Sequence, residues 1–378
     1  MKIFHIISSI NRGGAENHLF NLASLQSKEK NKVKIIYFKG DGYWSRFYKK
    51  NNIKTIKYSL NNNLNFLKVI FLYFKISNFI KKENPDIVHA HLAFPELFVT
   101  IIKLFSKNNF KFIITKHLDS LIFEGSYGQN RFFNGLFFEK LIFRYADRII
   151  FISNNVKKYF LSKIRNYHLK TSVIYYGIDK NHFRNKSKNK KNLRHIRDNK
   201  SQFIILNIAR HIPQKQVDKL IDGFYEFSKK QKNSKLILVG SGPETKNLKK
   251  KSKKLNLSSK IVWINYTENI QEIFKISDLF CLTSKYEGLG LVLLESLLLK
   301  KPVVTINRSA MREIITNKFN GISLKKNFTS KDLSDAFYKI KYSSRLRLKY
   351  QKNGLIFLHK KFNLKKMFSL TKEIYLKK

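Results

Sequence analysis

The stretch Thr283-Ser284-Lys285-Tyr286-Glu287-Gly288-Leu289-Gly290-Leu291-Val292-Leu293-Leu294-Glu295 joins two glutamates through a Gly-x-Gly turn. A short apolar run precedes it, and the residues after Gly290 form an apolar segment of helical length. A buried strand followed by a glycine turn and an apolar helix is typical of a parallel sheet that is covered on both faces. The glycines allow the backbone to approach a ligand closely, and the free N–H groups at the helix start suit a phosphate.

Glu295 lies in the first turns of this predicted helix, close to any ligand at the glycine turn. A carboxylate there accepts hydrogen bonds from sugar hydroxyls. The rest of residues 291–299 is almost wholly apolar, so an unpaired charge would be costly. The alternative interpretation is an ordinary capped helix with one partly buried glutamate.

Strands and helices alternate over most of the chain, which predicts two doubly wound, Rossmann-like α/β domains that face a cleft. We expect the first domain at residues 1–175 and the second at 176–357, with a polar connection at about 181–201. A C-terminal helix at about 358–378 is expected to pack back toward the first domain. The predicted strands are a first one near the amino terminus, then 33–38, 87–90, 112–115, 149–152, 203–208, 235–239, 261–264, 279–283 and 302–306. The predicted helices are 16–27, 66–81, 129–145, 219–231, 245–255 and 291–299.

Composition sets the class of protein. The chain has 378 residues, 43% of them hydrophobic, which suffices for two cores. Lys and Arg number 75 against 25 Asp and Glu, a formal net charge of +50. Because Lys and Asn are both abundant, the charge indicates either base-composition drift or an anionic partner. The single cysteine, Cys281, excludes a disulfide framework and a cysteine metal site.

Targeting and membrane signals are weak. The first seven residues loosely resemble a secretory signal, but the apolar run is short and interrupted by His5. No uncharged apolar stretch reaches the roughly 18 residues that span a bilayer. We therefore expect a cytoplasmic protein, or one held peripherally on the inner face of the cytoplasmic membrane.

The segment EGLGLVLLE, with Glu287 and Glu295 eight positions apart, resembles the Glu-x7-Glu signature of retaining glycosyltransferases of family GT4, which have the two-domain GT-B fold. Further segments resemble that family's motifs in the expected order. They are the glycine-rich loop at 12–18, the DxxHxH segment at 86–91, the strand end at 115–117, VIYYGID at 173–179, ARHIPQKQVDKLI at 209–221 and LVGSGPE at 238–244.

The resemblance implies a role for each matching residue. Arg210 and Lys215 would hold the diphosphate of a nucleoside-diphosphate sugar, where a fork of donors and a point charge meet developing negative charge. Glu295 would bind the ribose, Glu287 hydroxyls of the transferred sugar, and His117 would lie beside sugar and diphosphate. The expected catalytic residues are thus His117, Arg210, Lys215 and Glu287, and the further donor-binding residues Gly14, Gly288, Leu289, Gly290, Leu291 and Glu295. On their own, Arg210 and Lys215 would read as two ordinary surface cations among 75.

Four further residues are weaker candidates. Asn265 and Tyr266 follow a strand and are expected to contact the base. His89 and His91 project to one face of a strand and are acceptor-side or structural candidates. Two histidines could also bind a metal, but the sequence identifies no third ligand.

No two of the eleven aspartates are separated by one residue, so the Asp-x-Asp of metal-dependent glycosyltransferases is absent. The resemblance implies a retaining hexosyltransferase that needs neither metal nor cofactor. Its co-substrate would be a UDP- or GDP-sugar. Its acceptor would be a saccharide or an isoprenoid-lipid-linked glycan in polysaccharide or lipopolysaccharide synthesis.

Some features depart from this interpretation. Residues 307–312 lack the Gly-Gly that is usual in the family, and Asn265 replaces a common glycine, which leaves a noncatalytic relative open. The sequence is also compatible with a 2-epimerase of the same architecture, or with a basic protein that binds nucleic acid or membrane. Since lysines run through nearly every segment and no nucleic-acid module is present, we expect no specific nucleic-acid partner. Residues 66–82 and 131–144 mix bulky apolar and basic side chains, and would either contact an anionic bilayer or form core helices.

Overall fold

The computed structural model describes residues 1–59, 66–106, 109–121, 135–178, 196–199, 201–267 and 269–377. The chain forms two compact units. The N-terminal unit comprises Met1–Gly177 and Leu364–Lys378, and the C-terminal unit comprises Ile178–Asn363. The polar connection expected at about 181–201 lies almost entirely outside the described residues.

The N-terminal unit is built on a seven-stranded parallel sheet of order β3-β2-β1-β4-β5-β6-β7. Its strands are β1 (Lys2–Ser9), β2 (Lys32–Lys39), β3 (Lys54–Lys57), β4 (Ile87–His91), β5 (Lys111–Lys116), β6 (Arg148–Phe151) and β7 (Thr171–Val173). The helices between them are α1 (Gly14–Lys28), α2 (Ser45–Lys50), α3 (Phe66–Glu83), α4 (Ala93–Phe105), α5 (Gly135–Tyr145) and α6 (Asn154–Lys163). All five residues of the central strand β4 are buried, as expected where helices cover both faces.

The C-terminal unit is built on a six-stranded parallel sheet of order β10-β9-β8-β11-β12-β13. Its strands are β8 (Phe203–Ile208), β9 (Ser234–Val239), β10 (Ile261–Ile264), β11 (Leu279–Leu282), β12 (Val303–Ile306) and β13 (Ile322–Leu324). Its helices are α7 (Val217–Lys230), α8 (Thr245–Lys254), α9 (Ile270–Ile276), α10 (Leu291–Leu298), α11 (Met311–Ile314), α12 (Ser330–Tyr342) and α13 (Ser344–Lys361). Cys281 is fully buried in β11, as its apolar neighbours predict.

A last helix, α14 (Leu364–Leu376), belongs to the N-terminal unit although it follows the C-terminal unit in the chain. Its apolar side packs on the strands through Met367, Ile374 and Tyr375. Lys111 at the start of β5 also donates to the carbonyl oxygen of Ile374 at 2.8 Å. The expected C-terminal helix is therefore present and contributes to the first core.

The predicted architecture is confirmed: two parallel α/β sheets carry the predicted strands. The sequence missed β3, β7 and β13, which are only three or four residues long and carry no continuous apolar run. The predicted set of helices also lacks α2, α4, α6, α9, α11, α12 and α13. Among the described residues, no helix combines the length and apolar character that crossing a membrane requires.

Candidate functional site

Two of the predicted site residues meet at the carboxyl edge of the second sheet. Lys215 follows β8 and Glu287 follows β11, and these strands are neighbours. The Lys215 Nζ lies 2.6 Å from the Glu287 Oε1, and the two side chains are only 14% and 12% exposed. The Thr283 hydroxyl holds the backbone at Lys215, because it donates to the carbonyls of Lys215 and Gln216 at 3.1 and 3.0 Å.

A third loop, after β12, holds the backbone of Glu287. The Ser309 hydroxyl accepts from the Glu287 N–H at 3.2 Å and donates to the Glu287 carbonyl at 2.8 Å. Ser309 has φ +51°, a left-handed conformation that glycine adopts more readily. Residues 307–312, where the usual Gly-Gly is missing, therefore keep a glycine-like backbone, and the serine hydroxyl supplies two hydrogen bonds. The Ser284 hydroxyl donates to the carboxylate of Glu287 at 2.6 Å.

The Gly-x-Gly turn leads into α10 as predicted. Gly290 caps the helix with φ +88°, which explains a glycine at this position. Leu289 is buried, and Leu291 begins the helix. Glu295 lies within α10 and is only 5% exposed, and its expected contact with the ribose stays a prediction.

Arg210 lies in the same connection after β8 as Lys215, and its side chain is exposed. Among the described residues, no hydrogen bond or ion pair joins Arg210 to Lys215 or Glu287. The loop packs closely on the glycine turn after β9: a Cβ on Gly240 would lie 1.9 Å from the Ala209 carbonyl oxygen, and one on Gly242 would lie 2.4 Å from that of His211. Only glycines allow this approach. It presents Arg210 outward while His211 is buried beside Thr245, 2.9 Å from its hydroxyl.

The two base-contact candidates lie in the loop after β10. Asn265 and Tyr266 are both exposed. Their position at the carboxyl edge of β10 leaves them accessible to a ligand, and it identifies no particular base.

The remaining predicted residues belong to the N-terminal unit. Gly14 is the first residue of α1, and a Cβ added there would meet no atom within 4 Å. Open space at a helix start fits a ligand approach better than a packing requirement. His89, His91 and His117 are all buried.

His91 and His117 belong to a buried cluster of five histidines that also contains His89, His5 and His18. β1 pairs with β4 so that His5 lies opposite His89, and β4 pairs with β5 so that His91 lies opposite Thr115. Residues two apart on a strand share a face, so neighbouring strands gather these side chains on one face of the sheet. Sequence reasoning missed His5 and His18, because one lies inside an apolar strand and the second lies on a helix.

Hydrogen bonds connect the cluster. His91 Nδ1 lies 3.1 Å from His117 Nε2, and His91 Nε2 lies 3.0 Å from His5 Nδ1. His89 bonds through one nitrogen to the Tyr375 hydroxyl and through the other to the Thr115 hydroxyl, both at 2.7 Å. Burial lowers the pKa of His5 to about 4 and that of His18 to about 3, and it lowers the pKa values of His89, His91 and His117 well below the usual range. These imidazoles are therefore neutral at physiological pH.

His5, His89 and His91 are the described residues that could hold a metal ion, since one nitrogen from each lies within 4.8 Å of the others. Neutral imidazoles suit zinc or copper. However, both ring nitrogens of each histidine already have a hydrogen-bond partner. A metal would have to displace part of that network.

Next to His117, Lys116 is buried between two carboxylates. Its Nζ contacts Glu96 and lies 2.5 Å from the Glu139 Oε2, and all three side chains are at most 5% exposed. Burial raises the pKa of Glu96 to about 7, and the two carboxylates raise the pKa of Lys116 above its usual value. A buried pair of this kind is costly to break, so the triad fixes the end of β5, where His117 begins the next loop.

Comparison with known proteins assigns both units. Residues 12–182 match the family described as Glycosyltransferase Family 4, and residues 188–356 match the family described as Glycosyl transferases group 1. The chain is 27% identical over 301 residues to an uncharacterized glycosyltransferase of Methanocaldococcus jannaschii, covering 79% of this chain and 77% of that protein. It is 26% identical over 296 residues to the O-antigen biosynthesis glycosyltransferase WclY of Escherichia coli, covering 77% and 78%.

Solved structures share the fold. HepE of Anabaena, solved with UDP and glucose, superimposes with a TM-score of 0.82 at 20% identity, covering 99% of this chain and 98% of that chain. WaaG, a glycosyltransferase involved in lipopolysaccharide biosynthesis, gives 0.77 at 17% identity over the full length of both chains. The chain is therefore an α/β protein of the GT-B class, with two Rossmann-like units. It belongs to the glycosyltransferases, as a family 4 domain followed by a group 1 domain.

Proposed function

We propose that the protein is a retaining, metal-independent glycosyltransferase that uses a nucleoside-diphosphate sugar. The observation that carries the proposal is the Lys215–Glu287 ion pair, held 2.6 Å apart at the start of a glycine-capped helix. A largely buried ammonium beside free helix N–H groups is suited to a diphosphate. The EGLGLVLLE segment that contains Glu287 supports retention through its resemblance to retaining enzymes.

The chemistry follows from the charges. Glycosyl transfer leaves a nucleoside diphosphate, so negative charge develops where the sugar departs. Lys215 and the exposed Arg210 would stabilise that charge as a point donor and a fork donor. Glu287, released from Lys215, would accept hydrogen bonds from sugar hydroxyls, and Glu295 would bind the ribose. Activation of the diphosphate is then the main catalytic contribution, without a metal ion.

Relatives suggest the substrates. HepE was solved with UDP and with UDP-glucose, which makes UDP the first nucleotide to test, ahead of GDP. WclY acts in O-antigen biosynthesis by its name, so a growing surface glycan, free or isoprenoid-lipid-linked, is the proposed acceptor. The proposed location is the cytoplasm or the inner face of the cytoplasmic membrane.

A membrane contact is supported by the outer surface of α3 and α4. Ile70, Phe71 and Phe74 on α3 and Phe105 on α4 are exposed. Three of them, Ile70, Phe74 and Phe105, help to line a groove of about 600 Å³ between the two helices. Its other lining residues are Val69, Tyr73, Phe98 and Ile101. Lys68 and Lys75 on α3 are also exposed, so the surface combines bulky apolar groups with positive charge. An anionic bilayer matches both properties.

Calorimetric titration with UDP and GDP in the presence of EDTA tests the donor site. We expect one nucleotide to bind the parent protein and to bind Glu295→Ala at least about tenfold more weakly, because the ribose loses a charged acceptor. A panel of sugar nucleotides then gives the donor, and product stereochemistry gives retention or inversion. Failure of both nucleotides to bind without metal would contradict the donor site. Interconversion of a sugar nucleotide without acceptor would indicate a 2-epimerase.

A further inference from the structure

A single chain of hydrogen bonds runs through the core of the N-terminal unit from Gln26 to Tyr176. The Gln26 Oε1 lies 2.8 Å from His5 Nε2, and His5 Nδ1 lies 3.0 Å from His91 Nε2. His91 Nδ1 lies 3.1 Å from His117 Nε2, and His117 Nδ1 lies 2.6 Å from the Tyr176 hydroxyl. All five side chains are buried.

The direction of every bond in this chain follows from its first member. A side-chain amide oxygen only accepts, so His5 must carry its proton on Nε2. A neutral imidazole has one N–H, and burial lowers the pKa values of His5, His91 and His117 enough to keep all three neutral. Nδ1 of His5 therefore accepts, and His91 must donate from Nε2. By the same logic His117 donates from Nε2, and its Nδ1 accepts from the Tyr176 hydroxyl.

A second arm of the hydrogen-bond network begins at the amide nitrogen of Gln26. Its Nε2 donates to the Tyr375 hydroxyl at 3.1 Å. That hydroxyl then donates to His89 Nδ1, and His89 Nε2–H donates to Thr115. Turning the amide over would reverse both arms together, because each bond in a neutral chain depends on the one before it. The orientation of one glutamine therefore decides the tautomer of four histidines.

We propose that Gln26, His5 and His91 are positioning residues that hold His117 as the Nε2–H tautomer, with Nδ1 as a hydrogen-bond acceptor. The recognition role rests on the proposed function, together with the position beside the donor sugar that the family resemblance implies for His117. A substrate hydroxyl that takes the place of the Tyr176 hydroxyl would have to donate to Nδ1. The site would thus select a hydroxyl at that position over an ether or a fluorine, which only accept.

A second observation indicates that this end of the chain meets a polar ligand. His18 stacks on Tyr176 with ring centroids 4.4 Å apart, and its ring lies 5.7 Å from that of His117. His18 is 6% exposed, and its Nδ1 has no hydrogen-bond partner among the described residues. Leaving a buried nitrogen without a hydrogen-bond partner is unfavourable, so this nitrogen marks a place where a polar group is missing.

Long-range ¹H–¹⁵N spectra of protein labelled with ¹⁵N-histidine report each tautomer directly. The resonances are assigned by the loss of signals in single histidine variants, and Gln26→Met removes both polar ends of the amide at similar size. We expect Nε2–H at His5, His91 and His117 in the parent protein, and a mixture of tautomers at all three in Gln26→Met. Thr115→Val is the matched control, because it removes the end of the second arm. It should alter His89 and leave His117 unchanged.

Three results would overturn the proposal: Nδ1–H at His117 in the parent, an unchanged His117 in Gln26→Met, or a stoichiometric metal ion bound to the histidines of the purified protein. If Gln26→Met does not fold, the parent spectrum alone decides, since the proposal requires the Nε2–H tautomer at His5, His91 and His117.

In the catalytic assay, Gln26→Met should raise KM for the sugar donor at least about threefold and leave the Kd of UDP unchanged, as UDP is assigned to the C-terminal unit. An unchanged KM would overturn the recognition role. A parent protein that binds no UDP would overturn the proposed function and leave the spectra interpretable.

Discussion

The Lys215 ammonium lies 2.6 Å from the carboxylate of Glu287, although 72 residues separate them in the chain. Both side chains are largely buried, so each compensates the desolvation of its partner. Under the proposed function, a diphosphate that binds Lys215 would compete with Glu287 for the ammonium and leave Glu287 available for the sugar. The pair would then couple recognition of the two halves of a nucleotide sugar.

The first prediction concerns these cations. Lys215→Ala and Arg210→Ala should each lower turnover by about 10- to 100-fold, because each removes a donor to the charge that develops on the diphosphate. Steady-state kinetics with the donor found in the nucleotide panel measures the effect. Lys230→Ala, an exposed lysine at the far end of α7, is the control and should leave turnover unchanged. Turnover within about threefold of the parent in both variants would rule out diphosphate activation as the main catalytic contribution.

Much of this site could be predicted from the sequence, because a residue that directly follows a strand lies at the carboxyl edge of a parallel sheet. Glu287 and Lys215 each follow an apolar strand, and the carboxyl ends of neighbouring parallel strands meet at one edge. The same reasoning places His89, His91 and Thr115 on one face. It could not place Gln26 or Tyr375, because their approach depends on how α1 and α14 pack across that face.

The role of Ser309 could not be predicted from the sequence either. The missing Gly-Gly at residues 307–312 suggested a loop of altered shape, but the structure shows a serine with φ +51° whose hydroxyl binds the backbone of Glu287. A residue type alone does not reveal that a strained backbone is compensated by two hydrogen bonds.

The second prediction separates strain from hydrogen bonding at this residue. Ser309→Ala keeps the strained backbone and loses both hydrogen bonds, whereas Ser309→Gly loses the bonds and relieves the strain. We expect Ser309→Ala to lower the free energy of unfolding by about 1–2 kcal/mol more than Ser309→Gly does. Urea unfolding followed through Trp263, in a Trp44→Phe background, measures the C-terminal unit. Equal stability of the two variants would show that the left-handed backbone carries no strain.

The third prediction concerns the pH dependence of the N-terminal unit. Five histidines are buried, with pKa values below about 6.5, which is the value expected in the unfolded chain. Between pH 7.5 and 5 the unfolded chain therefore binds more protons, and stability falls as the pH falls, by up to about 1.4 kcal/mol per pH unit for each histidine. Glu96 acts in the opposite direction. Because burial raises its pKa to about 7, its contribution to stability grows as the pH falls from 7 to the pKa of a glutamate in the unfolded chain. The effect of five histidines exceeds that of one glutamate, so the net stability falls with the pH.

Each unit contains one tryptophan, which allows the test. In Trp263→Phe, the fluorescence of Trp44 reports the N-terminal unit, and the urea midpoint should fall clearly between pH 7.5 and 5.5. In Trp44→Phe, Trp263 reports the C-terminal unit, where His211 is the one histidine buried among the described residues, and the midpoint should fall less. Midpoints that fall equally in the two proteins would contradict a histidine origin in the N-terminal unit.

The last prediction concerns the surface of α3 and α4. Phe71 and Phe74 are 65% and 58% exposed, so replacing both with aspartate removes apolar area at little cost to the core. If the surface lies on a bilayer, the double variant should bind vesicles of equal phosphatidylglycerol and phosphatidylcholine at least about tenfold more weakly at low salt, because two bulky groups leave the interface and two negative charges enter it. Leu169→Asp is the matched control, since Leu169 is fully exposed in the same unit but belongs to neither helix, and it should bind nearly as the parent does. Equal losses in both variants would show that binding reflects the net charge of +50 alone, and a parent that does not sediment with these vesicles would remove the membrane from the proposal.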